Sequence, residues 1–277
     1  MTNPASEPPI ALTIAGLDPS GGAGVLADVR TFVAFGCFPT AAITSLTFQN
    51  TTGVFGAIHQ RAATVRAQVD PILADFKVAC AKTGMLPTRE VIEEVARLLV
   101  GGALPAPVVD PVLRATSGDD LIDDDAVSSL VTELFPLARI VTPNIPEAER
   151  LTGLSITDAA GMREAAQRIR ELGAVAVLVK GGHLAARSPQ KESAAIDILD
   201  NAGRVTVFRA EMISGGEIHG SGCTLSAAIA ACLGRGMDLE GAVDTAKRFV
   251  TQAILESPRI GHGARPLFAR SSADFNR

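Results

Sequence analysis

Small residues stand directly before a predicted helix in residues 219–224, whose sequence is HGSGCT and which the apolar run LSAAIAACL follows. Gly220, Ser221 and Gly222 leave backbone N–H groups free, and the helix dipole adds partial positive charge, so this segment is predicted to bind a phosphate. Cys223 would lie in the first helical turn, where we expect the pKa of a thiol to fall towards neutrality and a thiolate to take a hydroxyl proton. The alternatives are a Gly-rich turn beside an inert cysteine, or a Cys–His hydrolase that pairs Cys223 with His219.

A second Gly-rich loop, GLDPSGGAG, occupies residues 16–24. Its part GAGVLA (22–27) matches the loose dinucleotide-binding pattern, but the acidic residue expected about twenty positions later is missing from TSLTFQN (44–50). The sequence contains no Gly-Lys pair, which excludes a Walker A loop. The loop is therefore predicted to hold a small substrate, with Asp18 and Asp28 nearby. The alternative for Asp28 is a solvated position on a helix.

Polar side chains follow several predicted strands. The amide of Gln49 has one acceptor and two donors, which suits a ring with a ring nitrogen and an exocyclic amine, although a turn-forming QNTTG is the alternative. Asp110, Asn144 and Glu147 offer oxygen atoms of the kind that bind Mg²⁺ with a nucleotide triphosphate, or else form ordinary turns before proline. Lys180 stands before two glycines and is a candidate phosphate contact, with an ordinary loop as the alternative.

The elements that must position these residues alternate along the chain. Strands separated by helices of about 10–15 residues predict βαβ units and an α/β fold with a mainly parallel sheet, covered on both faces. The carboxyl ends of parallel strands share one edge, so we expect the polar strand ends to meet there. One domain is predicted over 1–277, with tails at 1–9 and 267–277. The predicted strands are 10–16, 38–50, 53–59, 78–84, 107–112, 138–144, 174–182, 194–200 and 204–210, and the predicted helices are 25–35, 65–75, 88–100, 124–135, 158–172, 222–234 and 239–256.

Composition narrows the class of protein. The chain has 277 residues, 47% hydrophobic residues and a net charge of −5, which is typical of a folded domain and unfavourable for binding a nucleic-acid backbone. No signal-like N-terminus or apolar run of about 18 residues is present, so no membrane partner is expected. Four cysteines without a CxxC motif argue against disulfides or structural zinc and favour a reducing cytoplasm. Cys37, Cys80 and Cys232 are predicted to be core residues.

Taken together, these segments resemble the ribokinase-like superfamily and, within it, the hydroxymethylpyrimidine/phosphomethylpyrimidine kinases of thiamine biosynthesis. The resemblance covers nearly the whole chain. Its most specific segment is HGSGCTLSAAIAA, because most of the superfamily has an aspartate base where Cys223 stands. The matching segments are IAGLDPSGGAGVLADVRTF, QNTTGV, KTGML, VVDPV, ATSGDDLI, TPNIPEAE, VKGGH and HGSGCTLSAAIAA.

The resemblance implies a three-layer α/β/α sandwich, a cytoplasmic homodimer and an ATP- and Mg²⁺-dependent kinase. Such a kinase would phosphorylate 4-amino-5-hydroxymethyl-2-methylpyrimidine and then its monophosphate. The alternatives are a pyridoxal kinase-like enzyme and a non-catalytic regulator that binds a pyrimidine or a nucleotide, in which a broken anion-binding segment would be expected. The site residues that the resemblance implies are Gln49, Gly16, Ala23, Asp28, Met85 and Val112 for the substrate, Asp110 and Glu147 for the metal, Lys180 and Asn144 for ATP, and Gly220, Ser221, Gly222 and Cys223 for catalysis.

Overall fold

The computed structural model describes residues 7–114, 122–182, 194–213 and 218–268. Within them, nine strands form one sheet in the order β3-β2-β1-β4-β5-β6-β7-β8-β9. Neighbours from β2 to β7 in this order are parallel, whereas β3, β8 and β9 pair antiparallel at the two ends. The strands are β1 (Ile10–Leu17), β2 (Phe38–Asn50), β3 (Gly53–His59), β4 (Val78–Thr83), β5 (Val108–Val109), β6 (Ile140–Val141), β7 (Ala176–Gly181), β8 (Ala194–Asn201) and β9 (Arg204–Glu211), and a separate parallel pair is formed by β10 (Ile218–His219) and β11 (Arg265–Pro266).

Helices cover both faces of the sheet. Alternation along the strands divides the core, because Val108 and Ile140 face one side while their neighbours Val109 and Val141 face the other. Helices α1, α7 and α8 pack on the first side, and α2 to α6 pack on the second. The predicted three-layer sandwich is therefore confirmed. The helices are α1 (Gly24–Ala34), α2 (Ala62–Asp75), α3 (Arg89–Val100), α4 (Asp124–Ser129), α5 (Ile145–Thr152), α6 (Ala159–Glu171), α7 (Ser221–Gly234) and α8 (Leu239–Leu255).

Some predicted boundaries are wrong. Helix α5 was not predicted, because its start, TPNIPE, has the composition of a turn. The helix predicted over 124–135 is α-helical only to Ser129 and continues as a π-helical turn, Leu130–Leu134. At the inner ends of the two predicted tails, the Pro9 carbonyl accepts a hydrogen bond from the Phe38 N–H (2.9 Å), and Leu267 is buried. Residues 115–121 of ATSGDDLI and the last residue of VKGGH lie outside the described residues.

A search of the described helices for one long and apolar enough to cross a bilayer finds none.

Candidate active site

The carboxylate of Asp110, just after β5, is the point where four elements meet. Its Oδ1 accepts hydrogen bonds from Lys180 Nζ of β7 (2.7 Å) and from Thr142 Oγ1 after β6 (3.2 Å). Its Oδ2 accepts one from Ser226 Oγ of α7 (3.2 Å). Burial raises the pKa of Asp110, but the charges of Lys180 and Lys82 outweigh it and hold the pKa below its usual value. The carboxylate therefore stays ionised and fixes the strand ends to the start of α7.

The start of α7 has the geometry predicted for an anion site. Gly220 precedes the helix with φ +88°, a conformation that glycine adopts without strain. A Cβ on Gly222 would lie 3.1 Å from Lys180 Nζ, so the ammonium group sits against the first helical turn. Burial lowers the pKa of Lys180, but Asp110 and Glu147 outweigh it and raise the pKa, so the side chain is charged. Free N–H groups and an ammonium therefore face one place, which suits a phosphate.

The loop of residues 16–24, which we call the wall loop, packs against the start of α7. Asp18 holds the loop by accepting hydrogen bonds from the backbone N–H groups of Ser20 and Ala23 (both 2.8 Å). Asp18 Oδ2 also lies 2.9 Å from Nε2 of His219. A Cβ on Gly220 would overlap the Gly22 carbonyl oxygen, so the two loops touch through their backbones. His219 thus bonds through Nε2 to Asp18, and the pairing with Cys223 that a Cys–His hydrolase requires gains no support.

A buried ion pair lies behind the wall. The side chains of Asp28 and Lys82 are both 0% exposed, with Asp28 Oδ2 2.8 Å from Lys82 Nζ. Thr13 Oγ1 donates a hydrogen bond of 2.6 Å to the same oxygen, while Asp28 Oδ1 has no hydrogen-bond partner among the described residues. Burial raises the pKa of Asp28 despite the neighbouring ammonium. The solvated alternative for Asp28 is wrong, because α1 turns this position towards the sheet.

The pKa of the Cys223 thiol differs from the one expected from the sequence. The thiol is partly exposed and accepts a hydrogen bond from the Gly24 backbone N–H, yet burial raises its pKa to about 11. The charge of Lys82 lowers this pKa, and the carboxylates of Asp110 and Asp28 raise it. The predicted fall towards neutrality is wrong, because desolvation and the two carboxylates together outweigh Lys82 and the Gly24 N–H. The other three cysteines are buried, as predicted.

Three of the residues proposed for the substrate lie around the ends of neighbouring strands: Gly16 of β1, Gln49 of β2 and Met85 after β4. Gln49 Nε2 donates a hydrogen bond to Thr47 Oγ1 (2.6 Å), which in turn donates to the Leu17 carbonyl (2.8 Å). A Cβ on Gly16 would lie 3.4 Å from Met85 Cε, so these two predicted residues are neighbours. Ala23 lies in the wall loop. Val112 donates its N–H to the Asp110 carbonyl (2.9 Å) just after β5, and β5 lies on the other side of β1 from β2, the strand that carries Gln49.

Asn144 and Glu147 form a capping box at the start of α5. Asn144 Oδ1 accepts from the Glu147 N–H (2.9 Å), and Glu147 Oε2 accepts from the Asn144 N–H (2.7 Å). Burial, together with the charge of Asp110, raises the pKa of Glu147 to about 7 although Lys180 opposes it. Over the described residues, no group of three or more His, Cys, Asp or Glu side chains is arranged to hold a metal ion. Asp110 and Glu147 are thus two carboxylates that both interact electrostatically with Lys180.

Three residues of this network were not singled out in the sequence: Lys82, Thr142 and Ser226. Lys82 interrupts the apolar run VACAKTG, and a lysine at an inward-facing strand position was the available signal. Thr142 and Ser226 carried no such signal, since threonine and serine are common next to prolines and in Ala-rich helices.

A known family and several known proteins share the sequence of this chain over most of its length. The sequence pattern of the family described as Phosphomethylpyrimidine kinase matches residues 18–268. The hydroxymethylpyrimidine/phosphomethylpyrimidine kinase of Rhizobium meliloti is 45% identical over 261 residues, covering 93% of this chain and 96% of that one. The thiamine biosynthesis bifunctional protein ThiED of Geobacter sulfurreducens is 44% identical over 92% of this chain, which spans only 51% of that protein.

Among solved structures, the pyridoxal kinase of Bacillus subtilis in complex with ADP superposes with a TM-score of 0.84 at 34% identity, covering 96% of this chain and 98% of that one. The ribokinase-like fold expected from the resemblance is thereby confirmed. Because the family pattern covers most of the chain and a curated kinase is 45% identical over nearly its full length, this chain belongs to the phosphomethylpyrimidine kinase family.

Proposed function

We propose that this protein is an ATP-dependent kinase that phosphorylates 4-amino-5-hydroxymethyl-2-methylpyrimidine and then its monophosphate, giving the diphosphate used in thiamine biosynthesis. The observation that carries the proposal is the start of α7, where free N–H groups, the ammonium of Lys180 and the thiol of Cys223 face one place. The names of the relatives support the same reaction. A non-catalytic regulator would be expected to have a broken anion-binding segment, whereas this chain keeps the segment HGSGCT.

Phosphoryl transfer depends on positioning and charge stabilisation more than on covalent chemistry. The N–H groups of residues 220–223 and Lys180 would hold the transferring phosphoryl group as charge builds on its oxygens. Cys223 would take the proton of the substrate hydroxyl as its oxygen bonds to phosphorus and ADP leaves. With a pKa of about 11, the thiol needs a neighbouring cation to become that base.

The pyrimidine ring would lie against the wall loop, beside the ends of β1 and β2. Gly16 and Met85 offer an apolar surface, and Gln49 offers an amide that binds a ring nitrogen and its amine. Asp28 Oδ1, which has no partner within the described part of the chain, is a buried acceptor that an exocyclic amine would satisfy.

Asp110 and Glu147 fit Mg²⁺, which binds proteins through one or two carboxylates and completes its coordination with nucleotide phosphates and water. Both carboxylates interact electrostatically with Lys180. The ion would neutralise charge on the triphosphate of ATP, while Lys180 contacts the phosphates and Asn144 orients the start of α5 beside it.

Glu147 gives this metal proposal a pH dependence. Since its pKa is raised to about 7, protons compete with Mg²⁺ below neutrality, and the Mg²⁺ concentration for half-maximal rate should rise by up to about tenfold per pH unit. Steady-state rates at pH 8, 7 and 6 across a Mg²⁺ series measure it. Glu147→Gln keeps the cap and should flatten the dependence. An equal pH dependence in both proteins would remove Glu147 from the metal site.

Gln49→Leu should raise the KM for the pyrimidine alcohol by tenfold or more while leaving the KM for ATP within about twofold, because one side of the ring loses its polar partner. Gln252→Leu, on the exposed side of α8, is the matched control and should change neither constant. Equal increases in both KM values for Gln49→Leu would contradict the ring contact.

The pyridoxal kinase-like alternative is favoured by one observation, the close structural match to the Bacillus subtilis enzyme. Mass spectrometry of products from the pyrimidine alcohol with ATP and Mg²⁺, run beside pyridoxine, separates the two functions. We expect a monophosphate and a diphosphate from the pyrimidine. Phosphorylation of pyridoxine alone would overturn the proposal.

A homodimer in the cytoplasm is part of the same proposal. It is supported by the resemblance to a family whose members are commonly dimers, and light scattering of the purified protein measures the mass in solution.

A further inference from the structure

Lys82 has no part in the proposed reaction, although it is one of the largest fully buried side chains. A buried ion pair is a poor source of stability, because the desolvation of two ions offsets their attraction. Its partner Asp28 is incompletely satisfied, with Oδ1 unpartnered among the described residues. A buried charge in such a place next to reacting groups is better explained by chemistry than by packing.

The backbone places this pair beside the Cys223 thiol. Thr13 and Lys82 are direct register partners on β1 and β4, and both side chains reach Asp28. Asp28 lies one helical turn after Gly24 on the same face of α1. The Gly24 N–H is the group that donates to the thiol of Cys223. The ammonium and the thiol are therefore held on the same side of the sheet, under the start of α1.

Four charged groups from four elements act on the thiol: Lys82 of β4, Lys180 of β7, Asp28 of α1 and Asp110 after β5. Lys180 is tied to Asp110 at 2.7 Å and remains 12% exposed beside the phosphate site. Lys82 is 0% exposed, so water screens its charge least. Lys82 is accordingly the cation that acts most strongly on Cys223.

We propose that Lys82 is a positioning residue of the phosphoryl-transfer site, whose ammonium is shared between Asp28 and Cys223 and stabilises the thiolate that takes the substrate proton. The inference rests on the proposed function, in which Cys223 is the base. In that step the substrate O–H proton passes to the Cys223 sulfur, the substrate oxygen bonds to the γ-phosphorus and the bond from that phosphorus to ADP breaks. Lys82 keeps its proton throughout, while Asp28 fixes the ammonium and moderates its charge.

Alkylation of Cys223 by iodoacetamide measures the thiolate directly, since the thiolate is the nucleophile. The rate is followed at pH 8 and 9 by mass spectrometry of the peptide that contains Cys223. Lys82→Met should slow alkylation by about tenfold or more, because a shift of one pKa unit changes the thiolate fraction tenfold. Asp28→Asn removes the opposing charge and should speed it. A merely structural pair would predict the same direction for both variants, since loosening exposes the thiol.

The double variant Lys82→Met/Asp28→Asn leaves no unpaired buried charge and guards against misfolding of the single variants. It should alkylate more slowly than wild type, because Lys82 acts on the thiol more strongly than Asp28 does. In kinase assays Lys82→Met should lower kcat with little change in the KM for ATP. A wild-type alkylation rate in folded Lys82→Met overturns the inference and leaves the kinase proposal standing. A wild-type protein that does not phosphorylate the pyrimidine overturns the proposed function, whatever the alkylation rates.

Discussion

Replacement of Cys223 by alanine should lower kcat by about 10²–10⁴-fold, the usual contribution of a positioned general base. The thiol is the proposed proton acceptor at the start of α7, and alanine removes it while keeping the helix. The KM for ATP should change little, because Lys180 and the backbone N–H groups proposed to hold the phosphates are untouched. Turnover at saturating pyrimidine and ATP measures the effect.

The matched control is Cys232→Ala. Cys232 is a buried cysteine near the other end of the same helix, away from the start of α7. Its replacement should lower the melting temperature slightly and leave kcat within about twofold. A Cys223→Ala enzyme that turns over within a few-fold of wild type would show that this thiol does not move the proton.

Replacement of Gly220 by alanine should lower kcat by about 10²–10³-fold, the loss measured when one donor of an oxyanion-type hole is removed. A Cβ at this position would overlap the Gly22 carbonyl oxygen, and φ +88° is strained for alanine. The wall loop and the start of α7 must therefore separate, and the N–H groups lose their common direction. Kinase assays and thermal unfolding of the same preparation measure both consequences.

Gly236 offers a control with the same backbone strain and free space. It follows α7 with φ +86°, and nothing lies within 4 Å of the Cβ that alanine would add. Gly236→Ala should cost about 1–2 kcal/mol of stability from the left-handed conformation alone and leave the kinetic constants unchanged. Equal losses of kcat in the two variants would mean that general instability, not the contact with Gly22, governs activity.

The fold and the edge that carries the site were predictable from sequence because both follow from local patterns. Alternating strand and helix segments specify a parallel sheet, and polar residues at strand ends mark its functional edge. Helix α5 escaped prediction, since the same Asn144 and Pro146 that start it are also turn residues. The same local residues can form either a turn or the first turn of a helix, and the surrounding packing decides which of the two forms.

The ionisation of the site was not predictable in the same way. A cysteine in a first helical turn indicates a low pKa, but the pKa of Cys223 depends on burial and on charges brought from distant strands. Lys82 is 141 positions away in the chain, so its influence exists only in the folded protein. Burial and charges contributed by distant segments cannot be read from the residues around Cys223 in the sequence.

The hydrogen bonds to Asp110 also bear on protein synthesis. Ser226 is 116 positions from Asp110, and Lys180 is 70 positions from it, so two of its partners emerge from the ribosome long after it does. A nascent chain that ends before α7 has the carboxylate but neither the helix proposed to bind the phosphates nor the proposed base, Cys223. With the proposed site, such a chain would not consume ATP, and we expect activity only when the C-terminal third of the polypeptide has docked.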